Sequence, residues 1–328
     1  MKVSALIPTY NRRAYVQRAV ESVLAQTVPV DEIVIIDDGS TDGTAELIQA
    51  RYGNRVRLIC QSNSGVSGAR RAAVREARNE WVAFLDSDDE WTSDRNRVLT
   101  EAANRIPSDV AWIFGDVSIV QDQGDNQTIY QRFGLHLDQS PKVFEDSLTV
   151  QHPFQFGLLQ GSLIRRDALI QVDAFGAGLH HSEDYLTGVQ VASRFRYAAV
   201  NAVVTLLYRT SDLKMSSLDL TGRNSPDYYR ARMMAFSLII QTGRSGKWGE
   251  CYADAVQGLC KVYAEAGAPF LAISLEQFRY GITMKSLVFE CAALLGRPGL
   301  EVWKKFGRGF RRIRGQEVTS HHSIGEIP

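Results

Sequence analysis

Cysteine is scarce and scattered. Cys60, Cys251, Cys260 and Cys291 are the four in 328 residues, and no two stand in a C-x-x-C spacing. Such a set builds neither a zinc site nor a disulfide framework, and it suits a reducing compartment. No apolar run approaches the roughly 18 residues that a membrane-spanning helix needs. The apolar run in the opening "MKVSALIPTYN" is too short for the core of a signal peptide. Net charge is missing as well, because 37 Lys and Arg balance 37 Asp and Glu. The chain as a whole therefore has no field to draw nucleic acid, and any charged partner must be met by a local cluster. A G-x-x-x-x-G-K-[ST] phosphate loop is absent, and no internal repeat is visible. The expectation is a soluble protein on the cytoplasmic side.

What is present is ordinary in bulk and ordered in detail. Apolar residues make up 45% and charged residues 23%, as in globular proteins. The first hundred residues alternate between short apolar runs and helical periods. "VSALI", "EIVIID", "RVRLIC" and "WVAFLD" read as strands. "YVQRAVESVLAQ", "TAELIQARY" and "SGARRAAVREAR" read as helices, with Val16, Ala19, Val20, Val23 and Leu24 on one face of the first. Ser40 or Thr41 is available to cap the second. This order predicts an α/β fold with a Rossmann-like, mostly parallel sheet flanked by helices.

The residues that follow each strand carry the functional signal. They are Pro8, Thr9, Tyr10 and Asn11; Asp37, Asp38, Gly39 and Ser40; Gln61 to Gly65; and Asp86, Ser87, Asp88 and Asp89. In an open parallel sheet, ligands bind at the carboxyl ends of the strands. Hard cations such as Mg2+ or Mn2+ take oxygen ligands, commonly one or two carboxylates together with substrate phosphates. Asp88 is the first choice of ligand, with Asp86 beside it for a sugar or a metal-bound water. Asp38 can accept a hydrogen bond from a base N–H or a ribose hydroxyl, and Gly39 lets the chain turn past it. Arg70 and Arg71 open a helix and can reach a nucleotide or form a solvated basic face. Glu183 and Asp184 start another helix, where the macrodipole favours carboxylates.

Farther along, "VAWIFGDVSIV" and "AVVTLLYR" read as strands, "DQGDNQT" as an exposed turn, and the stretch from Tyr185 to Ala192 as a helix. Beyond Pro226 the character becomes helical. These changes suggest a domain over 1–225, a helical C-terminal region over 226–317 and a flexible tail over 318–328.

Taken together, "IPTYNR", "VDEIVIIDDGSTDGT", "NSGVSGARRAA", "WVAFLDSDDEW" and "FGAGLHHSEDYLTGVQVA" resemble the family-2 glycosyltransferases of the GT-A fold, in the family's order from residue 3 to about 195. "LYRTSDLKMSS" extends the match. The resemblance implies inverting transfer of a sugar from a nucleotide-diphosphate sugar, with uridine donors favoured, to a glycan or lipid-linked acceptor. It implies Pro8, Thr9, Tyr10, Asp38, Asn63, Arg70 and Asp86 around the nucleotide, Asp88 on Mn2+ or Mg2+, and Asp184 as catalytic base. The Q-x-x-R-W signature of processive polymer synthases is missing, which favours a single-addition enzyme. "DAFGAG" and "HHS" depart from the family's usual residues before the acidic pair, and His180 and His181 are read as an exposed loop pair. A dehalogenase-type phosphatase would need Thr or Val where Glu90 stands. The remaining rival is a nucleotide-sugar-binding or assembly protein on a degenerate scaffold of the same fold.

One C-terminal stretch stands apart. In "LEVWKKFGRGFRRIRG", Trp303, Phe306, Phe310 and Ile313 recur at helical spacing among six Lys and Arg residues. Such a helix can lie in an anionic membrane interface or dock on the body of the protein. Segment 300–314 is thus the candidate for peripheral contact with the inner face of the cell membrane.

Overall fold

The computed structural model describes residues 1–121, 126–151, 156–209 and 226–241. The expected alternation is present. Strand β1 (Val3–Thr9) leads to helix α1 (Val16–Leu24), β2 (Glu32–Asp37), α2 (Thr44–Tyr52), β3 (Arg57–Cys60), α3 (Gly65–Glu76) and β4 (Trp81–Phe84). Then come β5 (Glu90–Trp91), α4 (Arg95–Ala103), β6 (Val110–Gln121), α5 (Ile129–Phe133), β7 (Lys142–Phe144) and α6 (Leu148–Gln151). The order closes with β8 (Ser162–Arg165), α7 (Arg166–Gln171), α8 (Glu183–Ala192) and β9 (Arg196–Arg209).

The nine strands of the described residues join one sheet in the order β3-β2-β1-β4-β8-β6-β9-β5, with β7 beside β9. β1 runs parallel to β2 and β4, and β2 parallel to β3. This parallel block aligns four strand ends on one edge. β8 then enters antiparallel between β4 and β6, while β9 lies parallel to β6 and antiparallel to β5 and β7. Strands β5, β7 and β8 are two to four residues long, too short for a period of two to be read from sequence.

Four of the five residues predicted on the α1 stripe are buried, and Leu24 packs half-buried at its end. Val16, Ala19, Val20 and Val23 share a core cluster with Ala5, Ile7, Ile35 and Ile48. Each fully buried Val or Ile contributes roughly 1.5–3 kcal/mol, which fixes the helix over the sheet and hence the loop leading into it. The cap of α2 differs from expectation. Gly43, in the left-handed region at φ 82°, precedes the helix, and the Asp42 carboxylate accepts from the Thr44 N–H at 3.0 Å. Ser40 and Thr41 are used elsewhere. The Ser40 hydroxyl accepts from the Asn11 N–H at 2.8 Å, and the Thr41 N–H donates to Asn11 Oδ1 at 2.8 Å. Two neighbouring loops compete for these groups, and the inter-loop bonds win over a local cap.

The chain divides into two compact units, Met1–Arg223 and Asn224–Pro328. In the second, helix α9 (Pro226–Gln241) buries Ala231, Ala235, Phe236 and Ile239. Among the described residues, no helix is long and apolar enough to cross a membrane. The helices expected after Gln241, Cys251, Cys260 and Cys291, the tail, most of "LYRTSDLKMSS" and segment 300–314 lie outside the described residues.

Candidate active site

Backbone hydrogen bonds draw the strand ends together. The Asp38 N–H donates to the Thr9 carbonyl, Gln61 N–H to the Asp37 carbonyl and Leu85 N–H to the Leu6 carbonyl, each at 2.9 Å. Pro8 and Thr9 are buried, and among the described residues the Thr9 hydroxyl has no hydrogen-bond partner. Tyr10 instead points outward, 46% exposed. Asp38 is buried, and its Oδ1 accepts from Gln61 Nε2 at 2.7 Å and from the Ser64 N–H and hydroxyl at 3.0 Å. Asp37 turns to its own loop, accepting from the Ser40 N–H at 2.7 Å. Gly39 sits at φ 83°, and a Cβ there would stand 3.1 Å from the Asn63 nitrogen. Asn63 is exposed beside this turn and accepts from the Gly65 N–H at 3.3 Å.

The acidic cluster after β4 divides into three distinct environments. Asp86 has both carboxylate oxygens engaged. Oδ1 accepts from Arg70 Nη2 at 2.8 Å and Oδ2 from Gln160 Nε2 at 2.6 Å. Burial raises its pKa, but the Arg70 charge and these hydrogen bonds outweigh that and hold it below the ordinary value. Asp88 lies partly exposed, 3.9 Å from Arg12 Nε, while its backbone carbonyl accepts from Arg18. Burial, then the Asp86 charge, push the Asp88 carboxyl up. Asp89 is buried and accepts from the Tyr208 N–H at 3.0 Å, which ties the loop to β9. Its role is architectural.

Arg70 is buried on α3, and its guanidinium also donates to the buried Glu183 at the start of α8. Burial, together with the negative charges of Asp184 and Asp86, outweighs Arg70 and lifts the Glu183 carboxyl to about 7. Asp184 is half-buried, and its Oδ1 accepts from the Tyr185 N–H at 2.7 Å. Arg71 points away and pairs with Asp173 near the surface. His180 is exposed, as expected of the loop pair, and its Nδ1 would lie 3.4 Å from a Cβ on Gly65; His181 is half-buried. The structure thus gathers Thr9, Asp38, Arg70, Asp86, Asp88, Glu183 and Asp184 along one edge of the sheet.

Several members gave no signal in the sequence. Gln160 reaches Asp86 across 74 positions. Arg18 stacks over the Tyr208 ring at 3.8 Å, and the Tyr208 hydroxyl donates to Glu90. Arg12 stands inside the recognised "IPTYNR", yet its approach to Asp88 follows from how β1 and β4 pair. Among the described residues, no three His, Cys, Asp or Glu side chains converge to hold a metal by themselves.

The sequence profile of Glycosyl transferase family 2 matches residues 4–172. The chain belongs to that family. Among the relatives of this family-2 chain is an uncharacterized glycosyltransferase of Nostoc sp., alr2836, 36% identical over 179 residues, 52% of this chain and 53% of the relative. The succinoglycan biosynthesis protein ExoO of Rhizobium meliloti is 33% identical over 188 residues, 56% of this chain and 53% of that one. The chain spans about half the length of these curated relatives. In structure it is similar to S. aureus TarS 1-349 in complex with UDP-GlcNAc, with a TM-score of 0.59 at 20% identity, over 90% of this chain and 80% of that one. The fold is the GT-A type, a curled mixed sheet flanked by helices.

Proposed function

We propose that this chain transfers one sugar from a UDP-sugar to an acceptor hydroxyl, with inversion, in polysaccharide or cell-surface glycan assembly. The observation that carries this reading is the alignment of Asp38, Asp86, Asp88 and the start of α8 on one sheet edge. Family membership supports it, as do the ExoO relative, named for succinoglycan biosynthesis, and the UDP-GlcNAc complex of TarS.

Each residue has a task that its surroundings support. Asp38 offers Oδ2 to the base or ribose, because Oδ1 is already held by Gln61 and Ser64. Asp86 stands fixed beside the donor. Asp184 takes the acceptor proton as the hydroxyl oxygen bonds to the anomeric carbon. The bond from that carbon to the diphosphate oxygen breaks on the opposite face, which inverts the configuration. Arg12, close to Asp88, adds positive charge where the leaving group collects negative charge.

The donor set suits Mn2+ or Mg2+ held jointly with a diphosphate. Asp86 is held by the Arg70 and Gln160 side chains and Asp89 by the Tyr208 N–H, whereas the Asp88 carboxylate stands 3.9 Å from Arg12 Nε. Asp88 would hold the ion, which when bound supplies Lewis-acid stabilisation of the leaving diphosphate. Segment 300–314 would bring the protein to anionic lipid at the cytoplasmic face; deleting it should abolish flotation with phosphatidylserine vesicles.

The direct test is a panel of nucleotide sugars incubated with the full chain, with and without Mn2+. Metal-dependent release of UDP from one donor is expected. A chain that binds a UDP-sugar yet neither hydrolyses nor transfers it would favour the degenerate-scaffold alternative. A chain that binds no nucleotide sugar would overturn both.

A further inference from the structure

Four side chains from four separate segments form one hydrogen-bonded run that meets the loop after β4 at Asp86 and is otherwise buried. Gln160 sits on the 3-10 turn Leu159–Gly161, Asp86 after β4, Arg70 on α3 and Glu183 on α8. Gln160 donates to Asp86 Oδ2 at 2.6 Å, Arg70 donates to Asp86 Oδ1 at 2.8 Å, and Arg70 donates to Glu183 through its other terminal nitrogen. Gln160, Arg70 and Glu183 are 7%, 4% and 7% exposed. The Asp86 side chain keeps 28% of its surface open.

Both ends of the run are anchored. Thr205 Oγ1 donates to the Gln160 carbonyl at 2.9 Å, and the following Ser162 carbonyl accepts from buried Arg95 Nη2 at 2.6 Å. Trp112 Nε1 donates to Ser162 Oγ at 2.6 Å. At the far end, Ser67 of α3 donates to the Leu179 carbonyl, and Phe84 meets Phe175 edge-on at 5.7 Å between centroids. The approach to α8 is therefore strapped to α3 and β4.

We propose that Gln160 and Glu183 are positioning residues for the donor. Neither touches substrate. Together they set the orientation of Asp86, Gln160 directly and Glu183 through the planar fork of Arg70. A guanidinium can hold two carboxylates in fixed directions, which an ammonium cannot. The same fork places the first turn of α8, and with it Asp184, at a constant distance from Asp86. This inference rests on the transferase reading above.

The test is calorimetric binding of UDP in the presence of Mn2+ to the full chain, which needs no acceptor and no turnover. Q160A and E183A should each weaken UDP roughly 10-fold, the lower range for residues that orient a ligand-holding carboxylate. E183Q, which keeps an oxygen for Arg70, should restore most of the affinity. Because Q160A and E183A act on one carboxylate, the double variant should lose several-fold less than the product of the single losses. Wild-type affinity in E183A, or losses that multiply, would overturn the proposal while the transferase reading stands. A wild-type chain that binds no UDP would overturn the transferase reading, and this proposal with it.

Discussion

Arg70 and Glu183, 113 positions apart in the chain, meet as a buried ion pair at the junction of α3 and α8. The pair is unequal. One guanidinium is shared between Glu183 and Asp86, with Asp184 adjoining, so local negative charge exceeds positive charge. That excess, added to burial, lifts Glu183 toward about 7 and also keeps Arg70 firmly protonated.

The pH dependence of stability follows from that shift. Glu183 has an ordinary value of 4.5 and is lifted to about 7 in the fold. Between these values the folded state binds more protons than the unfolded state, so this residue makes stability fall as pH rises through the window. The loss levels off above about 7. E183Q should remove this component, so the difference between wild type and E183Q should change across pH 4.5–7 and flatten above it. Urea unfolding of both proteins at several pH values measures it.

Asp88 and Asp184 should be indispensable for transfer and dispensable for folding. D88N and D184N should each lower turnover by at least about 10²-fold, with Tm within a few degrees of wild type. Chelation should mimic D88N, and Mn2+ or Mg2+ should reverse the chelation but not the substitution. Full activity in both variants, measured as UDP release, would refute the assignment.

Asp89 should separate from its neighbours. D89A leaves the Tyr208 N–H without its acceptor, at a cost of about 1–3 kcal/mol. D89N keeps an oxygen in place and should retain both stability and UDP binding. Denaturation midpoints and a UDP titration of the two variants decide this.

Gly39 should tolerate no side chain. Its φ of 83° and the 3.1 Å approach to the Asn63 nitrogen leave neither conformation nor room for a Cβ. G39A should cost more than about 1 kcal/mol and weaken UDP, because the same turn seats Asn63 and Ser64 beside Asp38. Unchanged affinity together with unchanged Tm would show that the turn relaxes freely.

Much of the candidate site was legible because it is local. Each strand end of the parallel block carries its polar residues next in sequence, so Thr9, Asp38, Asn63, Asp86 and Asp88 were found where the apolar runs stop. The stripe on α1 was legible for the same reason, since burial repeats at the helical period. The cap on α2 was not, because Ser40 and Thr41 had partners on another loop that no local rule reveals.

The sequence by itself determined the alternation of strands and helices in the first hundred residues, the family and the roster of acidic residues at the strand ends. Tertiary structure alone decided which of them are free to meet a ligand. Arg70 looked like a nucleotide contact from its place at the opening of α3, and it lies buried between two carboxylates. Gln160 carried no motif and holds Asp86 from the turn that enters β8, the strand beside β4. Periodicity and turn chemistry act along the chain and can be read there. A buried carboxylate takes its partners from whatever the fold brings within hydrogen-bond reach, and only the packed sheet and helices specify that.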